Sequence, residues 1–164
     1  MIDNHCYKRE KRMKKIIRII VSFCLLITVS GCQTSRETTD SDEYVKQFIH
    51  HFLSVTYEEN DSPFITQEKL GEEIKSYFNE MGYEEFTKYN YITIPTEIAD
   101  NYQSDISVKD IRLEETFNEE GTIGYIADVT LKSSSDVIEL KLRIRIKSEK
   151  NNWKIYGIRF INMD

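Results

Sequence analysis

From Ile138 to Lys147 the chain alternates without exception: Ile138, Leu140, Leu142, Ile144 and Ile146 take one parity, and Glu139, Lys141, Arg143, Arg145 and Lys147 take the other. A period of two held over this length fits a β-strand, whose successive side chains point to opposite faces, and does not fit a helix. One wholly apolar face and one wholly charged face define an antiparallel strand with a core on one side and water on the other. The neighbouring sequence supplies the rest of such a sheet. Ile111, Leu113 and Phe117 begin an alternating pattern, and Ile123, Tyr125, Ala127, Val129 and Leu131 continue it after a turn at Asn118-Glu119-Glu120-Gly121. Past a second turn at Lys150-Asn151-Asn152, the residues Trp153, Ile155, Tyr156, Ile158, Phe160 and Ile161 make a last strand, with Gly157 marking a bulge where the inward face switches.

Upstream the period changes to that of helices. Asp40 with Glu43 has capping-box spacing, and Val45, Phe48, Ile49, Phe52 and Val55 recur at helical intervals, predicting a helix that ends near Glu58-Glu59-Asn60-Asp61-Ser62-Pro63. Thr66 reads as the N-cap of a second helix with the stripe Leu70, Ile74, Tyr77, Phe78 and Met81. Gly82 reads as its stop or kink, before a short helix carrying Tyr83, Phe86 and Tyr89. Both prolines, Pro63 and Pro95, fall at apparent element boundaries, and the stretch from Tyr91 to Gln103 shows no clear period. Helices followed by strands indicate an α+β domain, its N-terminal helices packed on one side of a curled antiparallel sheet of about four strands.

Ahead of this domain lies a different kind of segment. Lys8, Arg9, Lys11, Arg12, Lys14, Lys15 and Arg18 precede an apolar run from Ile19 to Val29, which leads to Ser30-Gly31-Cys32. A basic flank, a short apolar core and a small-residue cleavage site are the parts of a secretion signal. The core is too short for a spanning helix, which needs about 20 apolar residues. The basic flank stays on the cytoplasmic side, so the chain after Cys32 is expected outside. Met13 opens a shorter version of the same signal, and either start leaves the same mature chain.

Val29-Ser30-Gly31-Cys32 resembles the bacterial lipobox. That resemblance implies cleavage between Gly31 and Cys32 and a diacylglycerol (with further acylation such as palmitate) on the Cys32 thiol. It divides the chain into a lipoprotein signal peptide (1–31), a lipidated cysteine with a flexible polar tether (32–42) and a single α+β cone domain (43–164). Cys6 and Cys24 leave with the signal, so Cys32 is the one cysteine of the mature chain, and neither a disulfide framework nor a cysteine metal site is expected. Of 22 Lys and Arg the signal removes seven, and of 28 Asp and Glu it removes Asp3 and Glu10, leaving 15 against 26 and a net charge of −11. A body this acidic is repelled by nucleic acid and by anionic lipid headgroups, so the lipid is what holds it at the membrane.

Helices followed by a meander ending in Asn151-Asn152-Trp153-Lys154-Ile155-Tyr156-Gly157-Ile158 resemble the nuclear-transport-factor-two-like fold, also called the cystatin-like cone. Tyr44-Val45-Lys46-Gln47-Phe48-Ile49 and the charged-out strand Val137 to Lys147 are similar to the soluble cone domains of extracytoplasmic proteins in conjugative elements and type IV secretion systems. The resemblance implies a role in conjugative transfer, entry exclusion or secretion. Its motif is loose and carries no catalytic residues, and a fold does not fix a function.

Cone-fold enzymes place an Asp or His general acid or base on the inward face. Here that face is Ile, Leu, Val, Ala, Tyr and Phe, and Tyr125 is its one polar tip on the clear strands, either a core aromatic or the mouth of a pocket. His50 and His51 are neighbours on a helix and point ~100° apart, which does not suit one metal ion, so no metal or other cofactor is expected beyond the covalent lipid. The tyrosines from Tyr77 to Tyr102 are either packed against the sheet or line a recognition surface. Lys141, Arg143, Arg145 and Lys147 form a basic stripe on an acidic body, which is either a solvated face or a docking face for an acidic partner or a second copy. The leading expectation is a non-enzymatic interaction module, lipid-anchored on the extracytoplasmic face of the cell membrane and bound to a membrane or envelope protein. A small-ligand-binding or isomerase-like cone is the alternative, with a pocket near Tyr125, and a purely structural envelope lipoprotein is a third reading.

Overall fold

The computed structural model describes residues 34–57 and 63–161. Cys6, Cys24, Gly31 and Cys32 lie outside the described residues, as does the segment 58–62. The chain divides into two compact units, Met1–Asp40 and Ser41–Asp164. In the first unit the described residues are the opening turns of α1 (Thr34–Leu53).

The second unit holds the remainder of α1, then α2 (Pro63–Ile74), α3 (Glu80–Lys88), α4 (Ile94–Tyr102), and four strands, β1 (Ser107–Glu119), β2 (Thr122–Lys132), β3 (Val137–Glu149) and β4 (Asn152–Phe160). Single 3-10 turns at Lys75–Tyr77 and Tyr91–Thr93 join α2 to α3 and α3 to α4. The strands pair antiparallel in the order β1-β2-β3-β4, a meander in which every neighbour in space is a neighbour in sequence. The α+β class, the helices on one face and the four-stranded antiparallel sheet all match the pattern of periods in the sequence.

Two of the three hairpins close through two-residue turns. Glu120 and Gly121 have φ of 50° and 73°, and Lys150 and Asn151 have φ of 50° and 67°. Positive φ at both central residues matches the right-handed twist of the strands they join. The β2–β3 connection is longer and is held by Ser133, whose N–H donates to Asp136 O at 3.0 Å, and by Ser104, whose hydroxyl accepts from Ser134 N–H at 2.8 Å.

The inner face is the apolar parity of each strand. Ile123, Tyr125, Ala127, Val129 and Leu131 of β2 and Leu140, Leu142, Ile144 and Ile146 of β3 are buried, against Val45, Phe48, Ile49, Phe52 and Leu53 of α1 and Phe78 and Phe86 from the shorter helices. Aromatic rings stitch these layers together: Phe52 stacks on Phe48 at 5.5 Å between centroids and meets Phe86 edge-on at 5.2 Å. β4 carries the switch expected near Gly157. Ile155 pairs with Ile146 and Gly157 with Arg145, so Tyr156 is the extra residue of a bulge, and Ile155 and Ile158 both reach the core.

Several helix boundaries differ from expectation. α1 begins at Thr34, inside the stretch read as a tether to residue 42, and Asp40 lies within the helix instead of capping it. Extending a helix already nucleated by a packed stripe costs far less than starting one, so polar residues join it without an apolar face of their own. At its other end α1 stops at Leu53, short of the acidic run, because Val55 leaves to form a two-way bridge with Ile106 (2.9 and 2.8 Å). α2 starts at Pro63, a proline in the first turn where its missing N–H is harmless, and Thr66 is inside the helix. The stripe read as continuous to Met81 breaks at Ile74: Phe78 is extended and bridges Ile155, and Met81 sits exposed on α3.

Gly82 does not end a helix. It lies in the first turn of α3, where Asn79 Oδ1 accepts its N–H at 2.8 Å as an N-cap. A Cβ there would stand 2.5 Å from Ile155 O and 3.2 Å from Tyr156 C, both backbone atoms. Glycine at this position lets α3 press directly on the bulged segment of β4. The unreadable stretch from Tyr91 holds α4, with Pro95 in its first turn and Gln103 in the left-handed conformation as its C-cap.

Candidate functional site

Tyr125, the inward polar tip, is sealed in the core at 1% exposure, and its hydroxyl shares a 2.8 Å hydrogen bond with Ser41 Oγ of α1. Among the described residues it is packed within the core cluster and does not line the hollow on the outer face of the sheet. Burial, first of all, pushes the Tyr125 phenol above its ordinary value. The Ser41 hydrogen bond pulls the other way, and the carboxylates of Asp42 and Glu115 add to the rise. Burial likewise raises Tyr44, whose hydroxyl donates to Tyr77 O at 2.7 Å.

A phenol with a raised folded-state pKa holds its proton in the native protein when the unfolded chain would lose it. Its contribution is therefore complete below the unfolded value of about 10 and is lost as pH rises above it. Stability should fall above pH ~10 at a limiting slope of about 1.4 kcal/mol per pH unit for Tyr125 alone. Tyr125→Phe should remove that slope while costing about 1 kcal/mol at neutral pH through the lost hydrogen bond. Urea titrations repeated from pH 7 to 11.5 measure both effects, and an unchanged alkaline slope in the variant would show that the phenol is not buried as described.

The histidine pair separates as adjacent helical residues do: His50 is exposed, and His51 Nε2 lies 3.3 Å from Glu73 Oε2 and edge-on to the Tyr77 ring. Among the tyrosines, Tyr77, Tyr83 and Tyr91 pack against the core, whereas Tyr89 and Tyr102 are exposed.

The basic stripe resolves into three parts. Lys141 Nζ is 3.0 Å from Asp128 Oδ1 across the β2–β3 pair and is neutralised there. Lys147 stands opposite Lys154, whose Nζ turns aside to donate to Ser76 O. Between them, Arg143 and Arg145 border a hollow of about 490 Å³ on the outer face of the sheet. Among the described residues neither has an ion-pair partner.

Two glycines face each other across β3 beside that hollow, and one of them, Gly157, lines it. Gly124 pairs with one edge of Arg145 and Gly157 with the other, so the row has side chains only from β1 and β3. A Cβ on Gly124 would run into the Phe117 ring, which folds over it, and a Cβ on Gly157 would stand 2.9 Å from Arg145 Nη2. The guanidinium therefore lies along bare backbone. Ile126 lies beside them on the same face, and Arg159, the cross-strand partner of Arg143, completes the cationic side, with Glu85 of α3 reaching to 3.9 Å of it.

Period alone assigns Phe117 to the other face and does not single out Arg159. Phe117 was read as part of the inward pattern of β1; a register shift between Glu115 and Phe117 leaves Thr116 as an extra residue and turns Phe117 outward. Arg159 faces outward because of the bulge at Tyr156. Chemically, the site offers guanidinium forks suited to planar oxyanions beside an exposed aromatic ring.

No known family model and no curated protein sequence matches the chain. Solved structures do. An IcmL-like type IV secretion system protein from Legionella pneumophila subsp. pneumophila str. Philadelphia 1 superposes with a TM-score of 0.55 at 12% identity, covering 77% of this chain and 93% of that one. A periplasmic fragment of TraM superposes with a TM-score of 0.50 at 11% identity, covering 77% of this chain and 98% of the fragment. At these identities the likeness is one of fold. Among the described residues no helix is long and apolar enough to cross a membrane.

Proposed function

We propose that this chain is a non-enzymatic protein-interaction module, lipid-anchored through Cys32 on the extracytoplasmic face of the cell membrane, that docks a membrane or envelope protein during conjugative transfer, entry exclusion or secretion. The observation that carries the reading is the cationic hollow: Arg143, Arg145 and Arg159 gathered on one sheet face of an otherwise acidic domain. Orientation by a patch of one sign on a body of the other is a common device for steering partners. The lipobox-like Val29-Ser30-Gly31-Cys32 supports the anchor, and the shared fold with an IcmL-like secretion protein and a periplasmic TraM fragment supports the setting and a place in the cone superfamily. The packed surroundings of Tyr125 favour this reading over a ligand-binding or isomerase-like cone.

The test is in-cell crosslinking of the full-length protein, comparing the wild type with the double variant Arg143→Glu/Arg145→Glu. The exposed outer face tolerates this change, so circular dichroism and thermal midpoint should stay within the few tenths of a kcal/mol of a surface substitution. The crosslinked partner band should fall by about tenfold or more, as expected when like charges replace complementary ones. Undiminished crosslinking would remove the outer face from the function.

A further inference from the structure

The charges of β3 and β4 are arranged against the stability of the sheet itself. Arg143 stands directly opposite Arg159, and beyond the Arg145–Gly157 pair Lys147 stands directly opposite Lys154. Like charges directly across a ladder are destabilising. The domain (43–164) has 23 acidic residues from which to draw a complementary partner, as Lys141 does with Asp128, yet among the described residues these positions lack one, apart from the distant contact of Glu85 with Arg159. The same row gives up two side chains, at Gly124 and Gly157, so that the Phe117 ring and the Arg145 guanidinium lie directly on the backbone. Unrelieved positive charge held on bare backbone beside an exposed ring is a binding arrangement for an anion supplied from outside.

Resting on the docking reading above, we propose that the hollow binds an extended acidic segment of the partner protein, taking a carboxylate on the free guanidinium groups of Arg143 and Arg145 and an adjacent apolar side chain on Phe117 and Ile126. Three features select this occupant. Arginine forks match the planar, bidentate geometry of a carboxylate. Glu85 already sits at the Arg159 edge as a carboxylate within the same hollow, and its charge weighs against the doubly charged phosphate more than against a singly charged group. Phe117 is 38% exposed beside the cations, giving an apolar contact that a free inorganic anion would not use, and the acidic body around the hollow repels a nucleic-acid backbone. A volume of about 490 Å³ falls in the range of sites that enclose a few side chains.

The experiment uses the full chain in detergent micelles and fluorescence anisotropy with a labelled peptide of alternating leucine and glutamate. Binding should weaken about tenfold in Arg145→Gln and in Arg143→Gln, and by a similar factor when the glutamates of the peptide become glutamine. Phe117→Ser should weaken the leucine–glutamate peptide severalfold while leaving a glycine–glutamate peptide unaffected, and Arg145→Lys should recover part of the affinity by restoring charge without the fork. Equal binding of the glutamine peptide, or tighter binding of a phosphoserine peptide or a single-stranded oligonucleotide, would overturn the assignment. If the peptide does not bind while the charge-reversed protein still loses its crosslinked partner in cells, the docking reading survives and the carboxylate assignment falls. If crosslinking is also unchanged, both fall.

Discussion

Replacing Phe52 with alanine should lower the free energy of unfolding by about 3–5 kcal/mol, the range for emptying a large aromatic site in a packed core. Phe52 has no exposed surface and sits where the helical layer meets the sheet. Its ring stacks on Phe48, meets Phe86 edge-on and reaches Phe160 of β4 at 6.3 Å. Those neighbours belong to three separate elements, so the void cannot close by one side chain moving. Against a total stability of about 5–15 kcal/mol for a domain, such a loss leaves the variant marginal at 37 °C. Urea unfolding gives the value directly, with the midpoint falling and the slope unchanged. Ile161→Ala, at a position 38% exposed, is the contrast and should cost far less. A Phe52→Ala loss near 1 kcal/mol would mean that the helix does not sit on the sheet as described.

Cys32→Ser should abolish lipid attachment altogether. The variant should take up no labelled palmitate, and the mature band should be replaced by a precursor 31 residues longer from Met1 or 19 residues longer from Met13. The magnitude follows from the physics of anchoring. One acyl chain binds a membrane only marginally and two bind it stably, so on the proposed reading a diacylated Cys32 would supply the whole of the lipid hold, and its loss leaves only the uncleaved apolar run from Ile19 to Val29. The strongly acidic domain cannot compensate by adhering to anionic headgroups. Label retained in the variant would place the lipid elsewhere and dismiss the lipobox reading.

What could be read from the residues divides along a physical line. β3 was legible because ten residues keep one parity with no irregularity, and β2 followed from the same rule. The stripe Val45, Phe48, Ile49 and Phe52 was equally plain at helical spacing. Gly82 misled because a glycine late in an apolar pattern resembles a stop, whereas its reason here is the backbone of β4, more than seventy residues away in sequence. The same distance explains the site. Arg143 and Arg145 were found by parity within one strand. Phe117 and Arg159 reach the same face only through single-residue register shifts, at Thr116 and at Tyr156, that exist relative to a partner strand; Gly157 marks the second, and nothing local marks the first. Period reports what a strand does alone; which residues of different strands share a surface depends on how the ladders slip. The bare backbone was missed for the related reason that Gly124 and Gly157 act by lacking atoms.

The sequential order of the sheet also sets a timetable. A chain made from its N-terminus releases α1 first, with Val45, Phe48, Ile49, Phe52 and Leu53 facing water, and about seventy residues separate Leu53 from Ile123, the first core residue of β2. The four strands, in contrast, pair only with the strand made just before, and such local pairing closes quickly. The meander can thus assemble as each hairpin emerges, while the earliest helix has Phe78 and Phe86 to pack on first and waits longest for the sheet. During that interval its apolar stripe is the surface most exposed to aggregation, and a chaperone that escorts this protein would have the first helix, made before any strand, as its natural handhold.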